Sequence, residues 1–415
     1  MASDRPQRKK PPLRGNSDVQ GSWPPLRYEA LPWSAQHETH ATSRNERKKH
    51  HGPYRAAIPP KIRDATLELP AGLAAQVGEA SAELARFDEL MGGEIAQFSA
   101  ILLRTESAAS SRIENLTASA RAIAEAEIGS SRRKNAVEVV ANTRTMMAAL
   151  ALADDISSTS ILAMHYALMN ELDPVNAGRW RTEQVWIGGG NLGPHLALFV
   201  PPHHDRVADA IKDLVMFIER TDLPVLAHAA LAHAQFETIH PFTDGNGRTG
   251  RALVQAMLRH AQLTRNVTVP VSAGLLSVTD EYFDALTTYR VGDPLPIVSL
   301  FAQAAFKAVA NGRTLVDELR KIRQRWQQLI KARSDSAVWR LVDLLLRRPV
   351  VNARVVAEEL DLDVGNVHRY IKPLLDAAVL VESLDVKRNQ VWRAADVLAA
   401  LDGFAARAGR RTPSS

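Results

Sequence analysis

The feature that most constrains this chain is the run His240–Arg251, HPFTDGNGRTGR. Three glycines lie within six of its residues, and glycine lets a backbone turn tightly and bring successive N–H groups round an anion. Asn246, between two of these glycines, tolerates a left-handed conformation. The residues that follow, ALVQAML, favour a helix. A helix N-terminus attracts phosphate through its free N–H groups and its dipole, so the run predicts an anion-binding loop that leads into a helix.

The side chains of this run add chemistry to the loop. Arg248 and Arg251 lie three residues apart on one helix face, where they can grip phosphate oxygens. Asp244 offers the hard oxygen ligand that Mg²⁺ prefers, and His240 can accept a proton near neutral pH. The set predicts a site for phosphoryl or nucleotidyl transfer. The alternative is a Gly-Asn-Gly turn between two helices with incidental charges.

The whole run resembles the signature of the Fic family, HPFx[D/E]GNGRxxR, at every specified position. It is not a Walker loop, because no lysine follows the second glycine. The resemblance implies protein adenylylation, in which AMP passes from ATP to a tyrosine, threonine or serine hydroxyl of a target protein or of the chain itself. ATP is then the substrate and Mg²⁺ the cofactor.

The resemblance also assigns roles to residues. His240 would take the proton from the attacking hydroxyl, and Asp244 would hold Mg²⁺ between the α- and β-phosphates. Arg248 and Arg251 would hold the β- and γ-phosphates, while the loop N–H groups and the Asn246 side chain would stabilise phosphate charge. The segment EYFDAL, similar to the family's EYYDAL, supplies either two walls for the adenine or a core aromatic pair. The remaining nucleotide-binding residues expected on this basis are Gly245, Gly247, Thr249, Gly250, Val185, Trp186, Ile187, Gly188, Tyr282 and Phe283.

A second motif lies far upstream of the signature. Ser110, Glu114 and Asn115 resemble the family's inhibitory motif, [S/T]xxxE[G/N]. The resemblance implies that Glu114 pairs with Arg251, and a carboxylate there would compete with the γ-phosphate. Taken alone, the three residues are equally typical of an ordinary polar helix end.

Two other functions remain open. Glu114 could align a water molecule, which would make the protein a de-adenylylase that uses the same site. Alternatively, the chain is a DNA-binding regulator whose nucleotide site is a sensor.

The rest of the chain is predicted to be mainly α-helical: a Fic-type helical bundle with a β-hairpin flap, and a C-terminal winged-helix domain. The hairpin is expected from residues 180–188 and 196–200, which flank a glycine-rich turn. One helix is expected over 295–310 and a separate one over 312–334. The expected units are a largely disordered basic tail (1–55), an N-terminal helical region with the inhibitory motif (56–130), a catalytic core (131–311), a linker helix (312–334), a winged helix (335–405) and a disordered end (406–415).

Charge is unevenly distributed between these units. Residues 1–64 carry a net charge of +7 and the remainder −2, so the basicity belongs to the tail. Within the tail, two apolar stretches, 23–28 and 31–33, suit an extended strap docked on the body. Residues 335–400 carry a net −1, whereas phosphate contacts need a basic face. DNA is therefore a partner that the charge balance does not favour. Pro373 is expected to kink or shorten the third winged-helix helix.

The composition limits location and chemistry. The chain has 415 residues and no cysteine, which excludes disulfides and thiolate chemistry and fits a cytoplasmic protein. No apolar run approaches the roughly 20 residues that span a membrane, and no signal peptide is visible.

Overall fold

The computed structural model describes residues 23–33, 50–92, 96–131, 133–190, 192–382 and 390–410. Helices predominate, with two small antiparallel sheets. The helices are α1 (Ala71–Gly92), α2 (Ala96–Ile113), α3 (Ala120–Glu127), α4 (Lys134–Ala151), α5 (Ser158–Met169), α6 (Val207–Ile218), α7 (Val225–Ile239), α8 (Asn246–His260), α9 (Val271–Leu276), α10 (Thr279–Arg290), α11 (Leu295–Leu329), α12 (Val338–Arg347), α13 (Ala353–Leu360), α14 (Val367–Asp376) and α15 (Ala395–Ala408). The strands are β1 (Arg27–Leu31), β2 (Tyr54–Ile58), β3 (Val350–Asn352), β4 (Val381–Glu382) and β5 (Val391–Arg393).

The core is built round α7 and α8, which flank the glycine-rich loop. Residues 226–239 of α7 are all buried, as expected for a helix that is apolar nearly all round. Helix α8 is buried from Arg248 to Leu258 and packs on α7, α4 and α5. Helix α2, which carries the upstream motif, also contacts α8. The two motifs are therefore brought together by the central packing of the bundle.

The prediction of two helices after residue 295 is wrong, since α11 runs unbroken through Gly312. A Cβ on Gly312 would lie 2.9 Å from the Phe87 Cζ atom. The glycine thus permits a close approach of α1 to α11 and does not end the helix. The linker helix is the second half of a helix that begins in the core.

Of the tail over 1–55, predicted to be largely disordered with a docked strap, the structure describes residues 23–33 and 50–55. Strand β1 pairs antiparallel with β2, with Arg27 opposite Ile58. Trp23 is 2% exposed and its ring lies 6.1 Å from that of Phe217. The strap expected from the apolar stretches is present. Residues 1–22 and 34–49, which the prediction also covers, lie outside the described residues.

The expected flap hairpin is found as a single β-bridge. Ile187 pairs with Phe199, and the Ile187 N–H donates to the Phe199 carbonyl at 2.8 Å. Gly188, Gly189 and Gly190 all have positive φ angles, and a 3₁₀ turn occupies Pro194–Leu196. These turns interrupt the extended backbone that longer strands would need.

The C-terminal unit contains the three predicted helices, α12 to α14, and two predicted strands. A third strand, β3, lies in the same sheet, whose order is β3-β5-β4. Pro373 does not end α14, which continues for three more residues to Asp376. Helix α15 packs on α11 and α2 and extends to Ala408. The expected disorder from residue 406 is therefore wrong up to Ala408, and residues 411–415 lie outside the described residues.

Among the residues that the structure describes, no helix is both long and apolar enough to cross a membrane.

Candidate active site

His240 lies where α7 ends and the glycine-rich loop begins. Its backbone is left-handed, with φ 50° and ψ 64°, a conformation that costs energy for any residue with a Cβ. Arg181 holds this turn, because its Nε donates to the His240 carbonyl at 2.9 Å and its backbone N–H donates to the Pro241 carbonyl at 3.0 Å. The position of His240 is thus fixed from outside its own helix.

The surroundings of His240 keep its imidazole neutral. Burial lowers the pKa of His240 to about 3, and the positive charges of Arg181 and Arg290 act in the same direction. The side chain nevertheless keeps 19% of its surface exposed. The neutral imidazole has a lone pair free to face a proton donor, and its exposed part can be reached by one.

Glu237, one turn before His240, is the nearest carboxyl group to its ring. Its Oε2 lies 3.8 Å from His240 Nδ1. Burial raises the pKa of Glu237 to about 7, and the negative charge of Glu114 adds to that rise. Sequence analysis did not select this residue.

Asn246 braces the loop from within. Its Oδ1 accepts from the Phe242 N–H and its Nδ2 donates to the Phe242 carbonyl, both at 2.9 Å. Stabilisation of phosphate charge by the Asn246 side chain stays a prediction, and it would use the second N–H of an amide that already bonds Phe242 at both ends. Its role in this structure is to hold the loop shape.

His165 supports the same loop from α5. Its ring stacks on Phe242 at 3.6 Å with an interplanar angle of 5°, and its Nε2 lies 3.2 Å from the Asp244 carbonyl oxygen. Because His165 Nδ1 accepts from the Gly178 N–H at 3.0 Å, the proton belongs on Nε2. Burial lowers the pKa of His165 to about 4. The sequence did not predict this role, because a single histidine on a helix of polar and apolar residues forms no recognisable motif.

Asp244 faces solvent at the mouth of the loop. Its side chain is 71% exposed, and its Oδ2 lies 3.7 Å from Arg248 Nη2. Its Oδ1 accepts from the Gly245 N–H at 2.6 Å. Gly245, with φ 76°, is the residue that precedes α8, so the carboxylate lies at the N-terminus of that helix.

The two arginines of the signature lie on α8 and are almost fully buried. Arg248 Nη1 lies 3.3 Å from Glu138 Oε2 on α4. Arg251 Nε donates to Ser110 Oγ, and its Nη2 donates to the Ser110 carbonyl, both at 2.9 Å. Both guanidinium groups are therefore fixed by neighbouring helices. Glu138 is a partner that the sequence did not reveal.

Glu114 reaches Arg251 across 137 residues of sequence. Its Oε1 accepts from Arg251 Nη2 at 2.8 Å, and a Cβ on Gly247 would overlap its carboxylate. Glu114 thus lies over the first turn of α8. Asn115 follows with φ 64°, which turns the chain away just after α2 ends. An anion bound at the N-terminus of α8 would therefore lie next to this carboxylate.

Thr249 and Gly250 do not face the position that Glu114 occupies. Thr249 is fully buried, and a Cβ on Gly250 would lie 2.9 Å from the Phe236 ring and 3.1 Å from His233 Nδ1. Helix α7 covers Gly250. The two residues pack the signature helix into the core, and their contact with nucleotide stays a prediction.

The flap residues are held by the strap. Trp186 lies 5.5 Å from Trp33, ring to ring and perpendicular, and its indole N–H donates to the Gly190 carbonyl at 2.8 Å. Val185 and Ile187 are half-buried, and Gly188 is exposed. Their contact with nucleotide remains a prediction.

The aromatic pair on α10 divides into a buried and an exposed member. Tyr282 is 1% exposed, and its oxygen lies 2.7 Å from His233 Nε2. Phe283 is 38% exposed and lies 5.2 Å from the Tyr282 ring. Tyr282 is therefore part of the core, and Phe283 is the member with a free face for stacking.

Comparison with known proteins places this site in a family. Residues 155–258 match the model of the Fic/DOC family. A protein adenylyltransferase, fic-1 of Caenorhabditis elegans, is 34% identical over 153 residues, which are 36% of this chain and 27% of the relative. Protein adenylyltransferase Fic of Drosophila yakuba is 30% identical over 158 residues, 37% of this chain and 29% of the relative. The chain thus matches under a third of the length of either relative.

A solved structure shares the fold more widely. A Fic family protein from Desulfovibrio desulfuricans G20 matches with a TM-score of 0.51 and 20% identity, over 79% of this chain and 97% of the other. The segment matched by the family model contains Arg181 and the whole run from His240 to Arg251. Residues 155–258 are therefore similar to the Fic/DOC family over the segment that carries the site, and the solved structure shares its fold.

Proposed function

We propose that this protein is an adenylyltransferase that moves AMP from ATP to a hydroxyl side chain of a target protein. The observation that carries the proposal is the arrangement of a neutral, partly exposed His240 beside a glycine-rich helix N-terminus with Arg248 and Arg251. The activity in the names of the two relatives supports it.

The chemistry assigned to each group follows from its surroundings. His240 takes the proton of the attacking hydroxyl as a general base. The free N–H groups at the start of α8 and the two arginines stabilise the charge that spreads over phosphate oxygens during transfer. Because Glu138 and Ser110 already orient the arginines, little reorganisation is needed when the nucleotide binds.

Asp244 suits Mg²⁺, because its carboxylate is exposed at the loop mouth and offers hard oxygen. When bound, the ion would neutralise phosphate charge and orient the pyrophosphate leaving group. The anion-binding groups of α8 lie on the same loop, so carboxylate and phosphate oxygens can meet there.

We further propose that Glu114 inhibits the enzyme. Its carboxylate lies over Gly247 and occupies one amino group of Arg251. The γ-phosphate of ATP needs the same positive charge, so the two anions compete. Inhibition is relieved when Glu114 moves away.

A second candidate is removal of AMP at the same site. It is favoured by the 38% exposure of the Glu114 side chain, which leaves a carboxylate oxygen free to orient water. Release of AMP from a modified target that depends on Glu114 would support this direction over transfer.

We interpret the C-terminal unit as a winged helix, because three helices are followed along the chain by a pair of strands. We propose that it is a structural or protein-contact module rather than a DNA-binding one, given its net charge of −1 over 335–400. Shift assays with duplex DNA at several salt concentrations test this, since phosphate-mediated binding weakens steeply with salt.

We also propose that the protein is located in the cytoplasm.

The deciding experiment is incubation with ATP labelled at the α- or the γ-phosphate. Adenylylation predicts protein labelled from α-labelled ATP only, with a mass gain of one AMP and with His240→Ala unlabelled. Labelling from the γ position would show phosphorylation and refute the proposal. Because the wild type is proposed to be inhibited, the assay includes Glu114→Gly.

A further inference from the structure

Arg181 is a buried arginine whose side-chain hydrogen bonds all go to backbone carbonyl groups. It is 4% exposed and lies just before the flap, the segment from residue 183 to residue 202. Its Nε donates to His240, its Nη1 to Glu183 at 2.9 Å and its Nη2 to Pro202 at 2.5 Å. The three acceptors belong to the catalytic turn, the first flap residue and the last flap residue.

A buried guanidinium without a carboxylate partner is costly to desolvate. Burial lowers the pKa of Arg181 to about 10, which still leaves it charged at pH 7. A planar group with five donors can bridge three carbonyls in fixed directions, whereas a lysine ammonium acts as a point charge. The site therefore depends on the shape of arginine and not only on its charge.

A second arginine ties the flap to the same helix end. The Arg290 guanidinium lies 3.7 Å from the centre of the Phe199 ring, and its Nη2 donates to the Glu237 carbonyl at 3.4 Å. Phe199 is the flap residue bridged to Ile187. Both flap strands are thus fastened to the last turn of α7, from which His240 projects.

We propose that Arg181 is a positioning residue that fixes the flap and His240 relative to one another. In this arrangement, a target chain that the flap orients presents its hydroxyl at a set distance from His240 Nε2 or Nδ1. Arg181 touches neither the nucleotide arginines nor any group assigned to phosphate. The expected effect on kcat rests on the proposed transfer reaction, whereas the expected coupling between the flap and the His240 turn does not.

The kinetic test compares Arg181→Lys with Arg179→Lys, an exposed arginine two residues earlier, in the Glu114→Gly background. A misplacement of about 1 Å costs about 10²-fold in rate, so kcat for labelling should fall by about 10–100-fold in Arg181→Lys. KM for ATP should change less than about twofold, because the phosphate groups are untouched. Arg179→Lys should match its parent.

Chemical rescue separates positioning from folding. In Arg181→Ala, millimolar guanidinium ion should restore part of kcat, because it can refill the space and bridge the same carbonyls, whereas methylammonium should not. A fall in melting temperature with unchanged kcat in Arg181→Lys would overturn the proposal and leave a purely structural role. A rise in KM for ATP at constant kcat would also overturn it.

A measurement without activity distinguishes this inference from the proposed function. Amide hydrogen exchange in Arg181→Lys should quicken in residues 183–190, 198–202 and 240–245 together, while α15 and β3 stay as in the wild type. If exchange quickens in the flap and in the turn together but the protein transfers no label from ATP, the coupling is supported and the transferase proposal is rejected. Quickening confined to the flap or to the turn alone would reject the coupling.

Discussion

Removing the charge of Glu114 should increase transfer. Glu114→Gln keeps the size of the side chain but removes its negative charge, which weakens the hydrogen bond that it accepts from Arg251, 2.8 Å long in the wild type. Arg251 keeps both bonds to Ser110, so the guanidinium stays in position. The variant therefore tests competition for the arginine rather than its placement.

The size of the effect follows from the exposure of the pair. A hydrogen bond to a charged group contributes about 1.5–3 kcal/mol. Because the Glu114 side chain is 38% exposed, solvent screening favours the lower end. About 1.4 kcal/mol corresponds to a tenfold change in population, so we expect labelling to rise about tenfold in Glu114→Gln. Glu114→Gly also clears the space over Gly247, so labelling should rise at least as much in this variant.

The assay is incorporation of α-labelled AMP, with release of label from a pre-modified target measured in parallel. The matched control is Glu171→Gln, which removes an exposed ion pair with Arg144 and should leave labelling unchanged. Adding Arg251→Ala to Glu114→Gly should abolish the gain, since coupled residues do not add.

Two results would refute the reasoning. Labelling equal to wild type in both Glu114 variants, with unchanged melting temperature, would show that the contact does not restrain the enzyme. Loss of AMP release in these variants, with no gain of labelling, would instead identify Glu114 as the residue that aligns water.

Three further predictions use the same assays. His240→Ala should lower transfer by about 10²–10⁴-fold with ATP affinity unchanged by calorimetry; near-normal turnover would exclude His240 as the base. Asp244→Asn should shift the Mg²⁺ dependence to higher concentration, because an amide is a poorer hard-ion ligand; an unshifted titration would assign the ion to another carboxylate. Burial lowers the pKa of His233 to about 3, whereas an unfolded histidine titrates near 6.5. The unfolded state therefore binds more protons below pH 6.5, and the free energy of unfolding should fall as pH drops from about 6.5 towards 3. His233→Gln should make that fall shallower by up to about 1.4 kcal/mol per pH unit; an identical slope in urea titrations would contradict the assignment.

The parts of the fold that depend on local pattern could be predicted from the sequence. Helix α8 was expected directly after the glycine-rich loop and is found at Asn246–His260, because a glycine loop and a run of helix formers define its start. The contact between Glu114 and Arg251 was also expected, although only the family resemblance could join residues so far apart. Its inhibitory effect stays a prediction.

Glycine shows why local pattern is not sufficient. Gly247 and Gly312 look alike in sequence, each inside a polar stretch next to asparagine. Gly247 leaves room for a carboxylate, whereas Gly312 leaves room for the Phe87 ring. Both glycines lie inside helices, and the partner that needs the space is more than 100 residues away in each case, so no local rule predicts which partner approaches.

The anion binding that we propose for the loop depends on its own polar groups being satisfied elsewhere. Asn246 takes both backbone groups of Phe242, His165 bonds the Asp244 carbonyl, and Arg181 bonds the His240 carbonyl. With these carbonyls occupied, none of them needs to turn towards the N–H groups at the start of α8. Preorganised donors of this kind stabilise developing charge without rearranging during the reaction. The residues that the sequence did not reveal, His165 and Arg181, therefore hold in place the ones that it did.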